Sequence, residues 1–172
     1  VYMAVNRRSP NPQVVIVCDG IVKVAAGGVL SDLSDSDLPP PLSVTHLDGY
    51  MVFLDAIGRM TSTAIDDAST VEALDFANAE SNRDGGVMVT TRGRELLGVG
   101  YRSIEFWSNV GGSEFPFQRA NSIEIGTLSG KSVATVDQTV AFVAHDGTVR
   151  LLDGYTAQRI SNHAVERFIA DT

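Results

Sequence analysis

Several stretches of this 172-residue chain carry residue types that could do chemistry. "SGKS" (Ser129–Ser132) ends as a phosphate-binding loop does, with a lysine and a hydroxyl. The upstream glycine spacing is missing, so it reads as a turn leading into a strand. "SDLSDSDLPPP" (Ser31–Pro41) offers the carboxylates of Asp32, Asp35 and Asp37 to a hard cation. A calcium loop needs acids at alternate positions, a central glycine and a terminal glutamate. Those are absent, and a solvated linker ending in a stiff polyproline piece is the favoured reading. His46, His145 and His163 are possible zinc ligands, but no cysteine or repeated acid spacing supports them. Asp75, Glu80 and Asp84 could serve as acid and base in a glycosidase, a chemistry that depends on carboxylate separation. No Gly-x-Ser-x-Gly elbow exists. "GVGYRS" (Gly98–Ser103) lacks the third glycine and following helix of a dinucleotide loop. The sequence therefore assigns no catalytic, cofactor-binding or metal-binding residue, and no cofactor is expected.

Composition narrows the partners. The net charge is −8, with 13 basic residues scattered among 21 acidic ones. A protein that grips nucleic acid needs clustered Lys and Arg to displace counterions, so tight direct nucleic-acid binding is not expected. An acidic membrane surface is disfavoured for the same reason. The lone Cys18 cannot form an internal disulfide. Neither a signal peptide nor a run of 18 apolar residues is present, which reads as a soluble, non-membrane chain. It starts with Val1 rather than Met and opens on apolar residues, which reads as a piece of a longer protein.

The elements that would position any site are strands. Short runs rich in Val, Ile, Phe and Tyr are bounded by Gly, Asp and Asn. "VVIVCDGIVKVAA" (Val14–Ala26) is two runs joined by Asp19-Gly20, a hairpin signal because both residues tolerate positive φ. "VAFVAHDGTVRLLDGY" (Val140–Tyr155) repeats the plan around Asp146-Gly147. Helical spacing is confined to "SNHAVERFI" (Ser161–Ile169), a short helix or a strand leading into a next unit, whose apolar side should pack on the preceding sheet.

A period runs through these strands. "SVTHLDGYMVFL", "MVTTRGRELLGV" and "SVATVDQTVAFV" start at Ser43, Met88 and Ser132, 45 and 44 residues apart. "YRSIEFW" (Tyr101–Trp107) stands 45 residues before "DGTVRLL" (Asp146–Leu152), matching Ile104 to Val149 and Phe106 to Leu151. "VYMAV", "QVVIV" and "GIVKVAA" supply an earlier copy. A repeat of this length with three or four short strands is the spacing of a β-propeller blade. The expected fold is all-β, a propeller-like array of about four blades from a larger propeller. The approximate blades are 1–42, 43–84, 85–130 and 131–172, in one β-repeat domain. A β-sandwich is the alternative.

The repeat also gives a place to "SIEFWSNVGGSEFPFQR" (Ser103–Arg119), which holds four of the chain's twelve aromatics. Ile104 and Phe106 fall on one strand face, Trp107 opens the turn, and Phe115 and Phe117 flank Pro116 on an outer strand. Packing within and between blades is the stronger reading, and a ligand pocket the weaker.

Taken in order and spacing, "VTHLDGYMVF", "VEALDFANAE", "YRSIEFWSNVGGSEFPFQR" and "YTAQRISNHAVERFI" resemble the packaged-DNA stabilisation proteins of short-tailed phages. These are also called tail accessory factors or tail hub proteins. "LSDSDLPP" (Leu33–Pro40) resembles the segment before their Leu-Asp-Gly-Tyr strand, and the likeness runs from about Tyr2 to Ile169. The resemblance implies a structural protein of the virion tail, assembled in the host cytoplasm of a phage or prophage. It would close the head after packaging through contacts with portal or head–tail adaptor proteins and other tail proteins, as a homo-oligomeric ring in a longer parent. It also implies a β-propeller that is not an enzyme and has no catalytic motif. Two alternatives stand beside it: a glycan-binding or glycan-cleaving propeller module, and a scaffold with an unrelated peptide partner.

Overall fold

Alternating apolar residues between turn signals produce strands, and the computed structural model, which describes residues 1–78 and 84–171, contains four groups of them. The first sheet holds β1 (Tyr2–Val5), β2 (Val14–Cys18), β3 (Ile21–Ala26) and β4 (Val29–Asp32). The second holds β5 (Pro41–Leu47), β6 (Tyr50–Asp55), β7 (Arg59–Ala64) and β8 (Asp67–Asn78). The third holds β9 (Gly86–Arg92), β10 (Glu95–Gly100), β11 (Ile104–Asn109) and β12 (Phe117–Ile123). The fourth holds β13 (Ala134–Val136), β14 (Thr139–Val143), β15 (Val149–Asp153) and β16 (Thr156–Arg159). Each sheet is an antiparallel meander in which spatial order follows chain order. A short helix, α1 (His163–Ala170), follows the fourth sheet.

Of the two Asp-Gly hairpins the sequence specifies, Asp19-Gly20 takes positive φ at both residues and Asp146-Gly147 at Gly147 alone. Asp19-Gly20 closes β2 onto β3 with φ of 49° and 80°, and Asp48-Gly49 closes β5 onto β6 with 51° and 93°. Positive φ at both central residues gives a turn whose twist matches the strands it joins.

Three apolar cores lie between successive sheets. Val15, Val17, Val22 and Val24 of the first sheet pack on Val44, Met51 and Phe53 of the second. Val52, Leu54 and Met60 leave the other face of the second sheet for Val89, Leu96 and Trp107 of the third. Leu97, Ile104 and Phe106 meet Val140, Phe142 and Leu152 of the fourth. Alternation along a strand does this: Val52 and Leu54 point one way and Phe53 the other. The first strands β1, β5 and β9 lie side by side and line the axis. This is the architecture of stacked propeller blades, not of a two-sheet sandwich.

The aromatic stretch is inter-blade packing. Phe106 faces the fourth sheet, where its ring meets Tyr155 edge-on at 4.9 Å. Trp107 faces the second sheet with Phe115 edge-on at 6.0 Å, and Phe117 meets Tyr50 at 5.8 Å. Two details differ from the sequence reading. Trp107 does not open a turn; it sits inside β11, because its indole is needed in the junction on that face. The helix has no buried residue, so its apolar side does not enter a core. Polar contacts hold it instead: Asn162 Oδ1 accepts the Val165 N–H at 3.1 Å, and Glu166 pairs with Arg159.

Phe106 has no exposed surface, so Phe106→Ala should destabilise the fold by about 3–5 kcal/mol. Ile57→Ala, at a side chain 80% exposed, should stay within about 0.5 kcal/mol. Urea unfolding of both variants, followed by the buried Trp107 emission, checks this. Equal small losses would place Phe106 outside the core.

Candidate assembly surfaces

The chemistry-bearing stretches do not converge. In "SGKS", Ser129 caps a single 3₁₀ turn (Gly130–Ser132) by accepting the Lys131 N–H, and Ser132 Oγ donates to the Ser129 carbonyl at 2.8 Å. Both hydroxyls tie down the crossing from the third sheet to the fourth. Among the acids of the proposed linker, Asp32 ends β4 and pairs with Lys23. Asp35 accepts from the Asp37 N–H at 3.0 Å and the Val71 N–H at 3.2 Å, pinning the linker to the second sheet. Asp84 caps the β10–β11 turn through the Arg102 N–H and the Ser103 hydroxyl. Asp75 lies on β8, and Glu80 lies outside the described residues.

The histidines are apart. His46 lies on β5, where burial pushes its pKa down against the pull of Asp66 and Asp48. His145 Nδ1 accepts from the Gly126 N–H at 3.5 Å, and His163 begins the helix. Among the described residues, no group of three or more His, Cys, Asp or Glu side chains is placed to hold a metal ion. Cys18 is exposed. Among the same residues, no helix is long and apolar enough to cross a membrane.

The polar side chains that matter structurally sit at the seams between sheets. At the first seam Gln13, 4% exposed, accepts the Ala68 N–H of the second sheet at 2.8 Å through Oε1. Asn6 holds it there: its Nδ2 donates to the same oxygen at 2.8 Å, and its Oδ1 accepts the Gln13 N–H at 2.7 Å. At the second seam the buried Ser43 Oγ accepts the Val89 N–H at 2.8 Å. At the third, Arg92 donates to the Gly154 carbonyl and to Glu95, and the Tyr155 hydroxyl donates to Glu95 Oε1 at 2.9 Å. The Arg92 guanidinium also stands 4.9 Å from the Phe106 ring centre. Each clamp satisfies a polar group beside an apolar core, where an unpaired one is costly. Sequence reasoning missed all three, because Gln, Ser and Arg at these positions carry no local motif.

The turns at one end of the sheets carry ionic networks. At Asp146, partial burial opposes ionisation, but hydrogen bonds from the Thr148 hydroxyl, Arg150 and the Thr148 N–H outweigh it and bring the pKa to about 2. Near the axis a cleft of about 420 Å³ is lined by Val1, Tyr2, Val17, Leu42, Asp19 and Lys131. Tyr2 reaches across toward the 3₁₀ turn: a Cβ on Gly130 would lie 2.4 Å from its hydroxyl, so a larger residue there would displace the tyrosine.

Four stacked four-stranded antiparallel sheets define an arc of a β-propeller. The chain belongs to the phage stabilisation family, the bacteriophage P22 Gp10 β-propeller, whose family model matches residues 1–172. That family is of a phage structural protein that stabilises packaged DNA, as the sequence resemblance implies. No curated protein sequence matches the chain significantly. Among solved structures, BamB from Moraxella catarrhalis is similar with a TM-score of 0.54 and 11% identity, over 92% of this chain and 48% of that one. Saccharomyces cerevisiae Sqt1 is similar with a TM-score of 0.62 and 9% identity, over 92% of this chain and 46% of that one. The computationally designed Ika4 protein gives 0.54 and 16% identity, over 88% of both chains. The chain thus spans about half the length of the first and second of these, and the likeness is one of fold.

Two outcomes follow from the seams and turns. Ser43→Ala leaves the Val89 N–H without its acceptor and should cost about 1–3 kcal/mol, read by chemical denaturation. No loss would show that water replaces the hydroxyl freely. Asp146 has a folded pKa depressed to about 2, against an unfolded value of about 3.9. Its contribution is present above the unfolded pKa and is lost as pH falls from about 4 through about 2. Because the group is partly solvated, the loss should stay below about 1 kcal/mol. Stability measured from pH 5 to 2 should fall less steeply in Asp146→Asn than in the wild type; identical slopes would refute the assignment.

Proposed function

We propose that the chain is a portion of a phage or prophage tail accessory protein that closes the portal and retains packaged DNA through protein–protein contacts. The match of the family model to the whole chain carries this reading. On it, the four sheets form one β-repeat domain within a longer chain. The parent assembles as a homo-oligomeric ring in the virion tail, after synthesis in the host cytoplasm. Its partners are the portal or head–tail adaptor proteins and other tail proteins.

The physical character of the chain supports a scaffold. Rigid blades present short polar loops at both ends, a surface that can set the register of a partner by charge. A net charge of −8 suits a conduit for DNA, since a basic lining would hold the duplex instead of letting it slide. The reading requires no catalytic residue, cofactor or metal.

The test is direct binding of the parent protein to a purified portal ring, followed by electron microscopy of the complex. The expected result is a stoichiometric ring on the portal that survives nuclease treatment. Absence of binding, or binding that disappears with DNA removal, would overturn it.

A further inference from the structure

The second seam holds two buried polar side chains that its direct clamp does not serve. Ser43 joins β5 to β9 on the axial side. Trp107 is 6% exposed and Ser62 0%, and neither Trp107 Nε1 nor Ser62 Oγ has a hydrogen-bond partner among the described residues. Both side chains face the same core. Ser62 pairs across strands with Val52, which packs there with Met60 and Trp107. A buried N–H or hydroxyl without a partner carries its full desolvation cost. Such groups in folded proteins are satisfied by protein atoms or by internal water.

Gly98 stands beside the indole. It lies inside β10, where a glycine weakens the strand and often marks a close approach. Neither the backbone nor crowding calls for it. Its φ is not positive. A Cβ on Gly98 would stand 3.5 Å from Met60 Sδ, 3.7 Å from Met60 Cε and 3.8 Å from Trp107 Nε1, all ordinary contacts. Gly86 of the same seam is the contrast, since a Cβ there would meet the Asp55 carbonyl at 2.2 Å. The bare backbone at 98 therefore keeps space in front of the indole N–H that a methyl could fill. A void of about 10 Å³ lies against Gly98, Leu54 and Gly86, and that is the room one water needs.

The third sheet adds an acceptor. Glu105 pairs with Gly98 in register, so its side chain leaves β11 on the same face as that of Trp107. It is buried, and its Oε1 accepts from Arg119 Nη1 at 3.3 Å. A carboxylate has about four acceptor sites, so one donor does not exhaust it.

We propose that one internal water occupies the space over Gly98, where it accepts the Trp107 Nε1–H and bonds to the Ser62 hydroxyl and the Glu105 carboxylate. The polar groups select the occupant. The indole N–H disfavours a cation and Glu105 disfavours an anion, whereas a small neutral molecule that both donates and accepts satisfies the set. The water makes Trp107 a cross-seam clamp through solvent, bonded to the second sheet at Ser62. It does for the outer half of the seam what Ser43 does for the axial half. The site lies wholly between the second and third sheets and is independent of what the protein docks to.

Crystal structures of the parent protein, wild type and Gly98→Ala, at a resolution that shows ordered water, test it. In the wild type a water is expected about 2.7–3.2 Å from Trp107 Nε1, with Ser62 Oγ and Glu105 as its other partners. In Gly98→Ala the methyl takes its place. Alanine is the better residue inside a strand. Gly98→Ala should nevertheless raise the unfolded fraction about fivefold or more in urea unfolding, because it leaves the indole N–H unpaired. Ser62→Ala should lower stability in the wild-type background and add little to Gly98→Ala, since both remove the same water. Should Gly98→Ala not fold, the wild-type structure and Ser62→Ala alone decide. A protein atom bonded to Trp107 Nε1, an indole N–H without a partner in the wild-type structure, a Gly98→Ala protein as stable as the wild type, or a neutral Ser62→Ala each overturns the proposal.

Discussion

A four-stranded sheet whose side chains are apolar on both faces cannot be stable by itself, and that constraint governs this structure. A strand exposes alternate residues to opposite sides, so a sheet with Val, Leu and Phe at successive positions needs a partner on each side. The second and third sheets have that: Val52, Phe53 and Leu54 are at most 1% exposed although they point in opposite directions. Burial of this kind is the main favourable term in folding. It requires every sheet to have neighbours, and so makes the array a one-dimensional stack, bent around an axis by the twist of its sheets.

The seams convert stacking into a fixed register. Apolar contact alone is non-directional and would tolerate sliding of one sheet past the next. A single hydrogen bond across each seam does not tolerate it, because displacement leaves a buried N–H unpaired. Gln13 to Ala68 and Ser43 to Val89 are such bonds, while Arg92 donates to the Gly154 carbonyl at the exposed edge of the third seam. The first is itself preorganised by Asn6, so the amide oxygen is aimed before the second sheet arrives. The result is a stack whose loops are held in a defined relation at both ends, a requirement for any protein that works by docking.

Much of this was legible in the sequence, and the reasons are local. The Asp-Gly pair at 19–20 marks a hairpin because its backbone geometry admits few other residues. The 45-residue period survives because each sheet solves the same packing problem, and the family likeness rests on segments inside that period. What was not legible depends on partners distant in the chain. β4 (Val29–Asp32) was not recognised, because all four of its residues are exposed and its ending looked like linker. Trp107 was placed at a turn, because nothing nearby shows that Leu96 and Met60 await its ring. The clamps at Gln13 and Ser43 were invisible because their acceptors serve amides 55 and 46 residues away.

The same logic explains how the polar clusters among the described residues are arranged. In an α/β enzyme, strand ends converge on one crevice and bring distant residues together. Here the turns lie around a rim, and several carboxylates are engaged with backbone amides and side chains of the turns and linker. Asp84 caps one turn, Asp146 holds Thr148 and Arg150, and Asp35 fixes the linker. They can present an ordered pattern of charge to a second protein. A stack with directional faces, fixed register and rigid charged rims is suited to assembly.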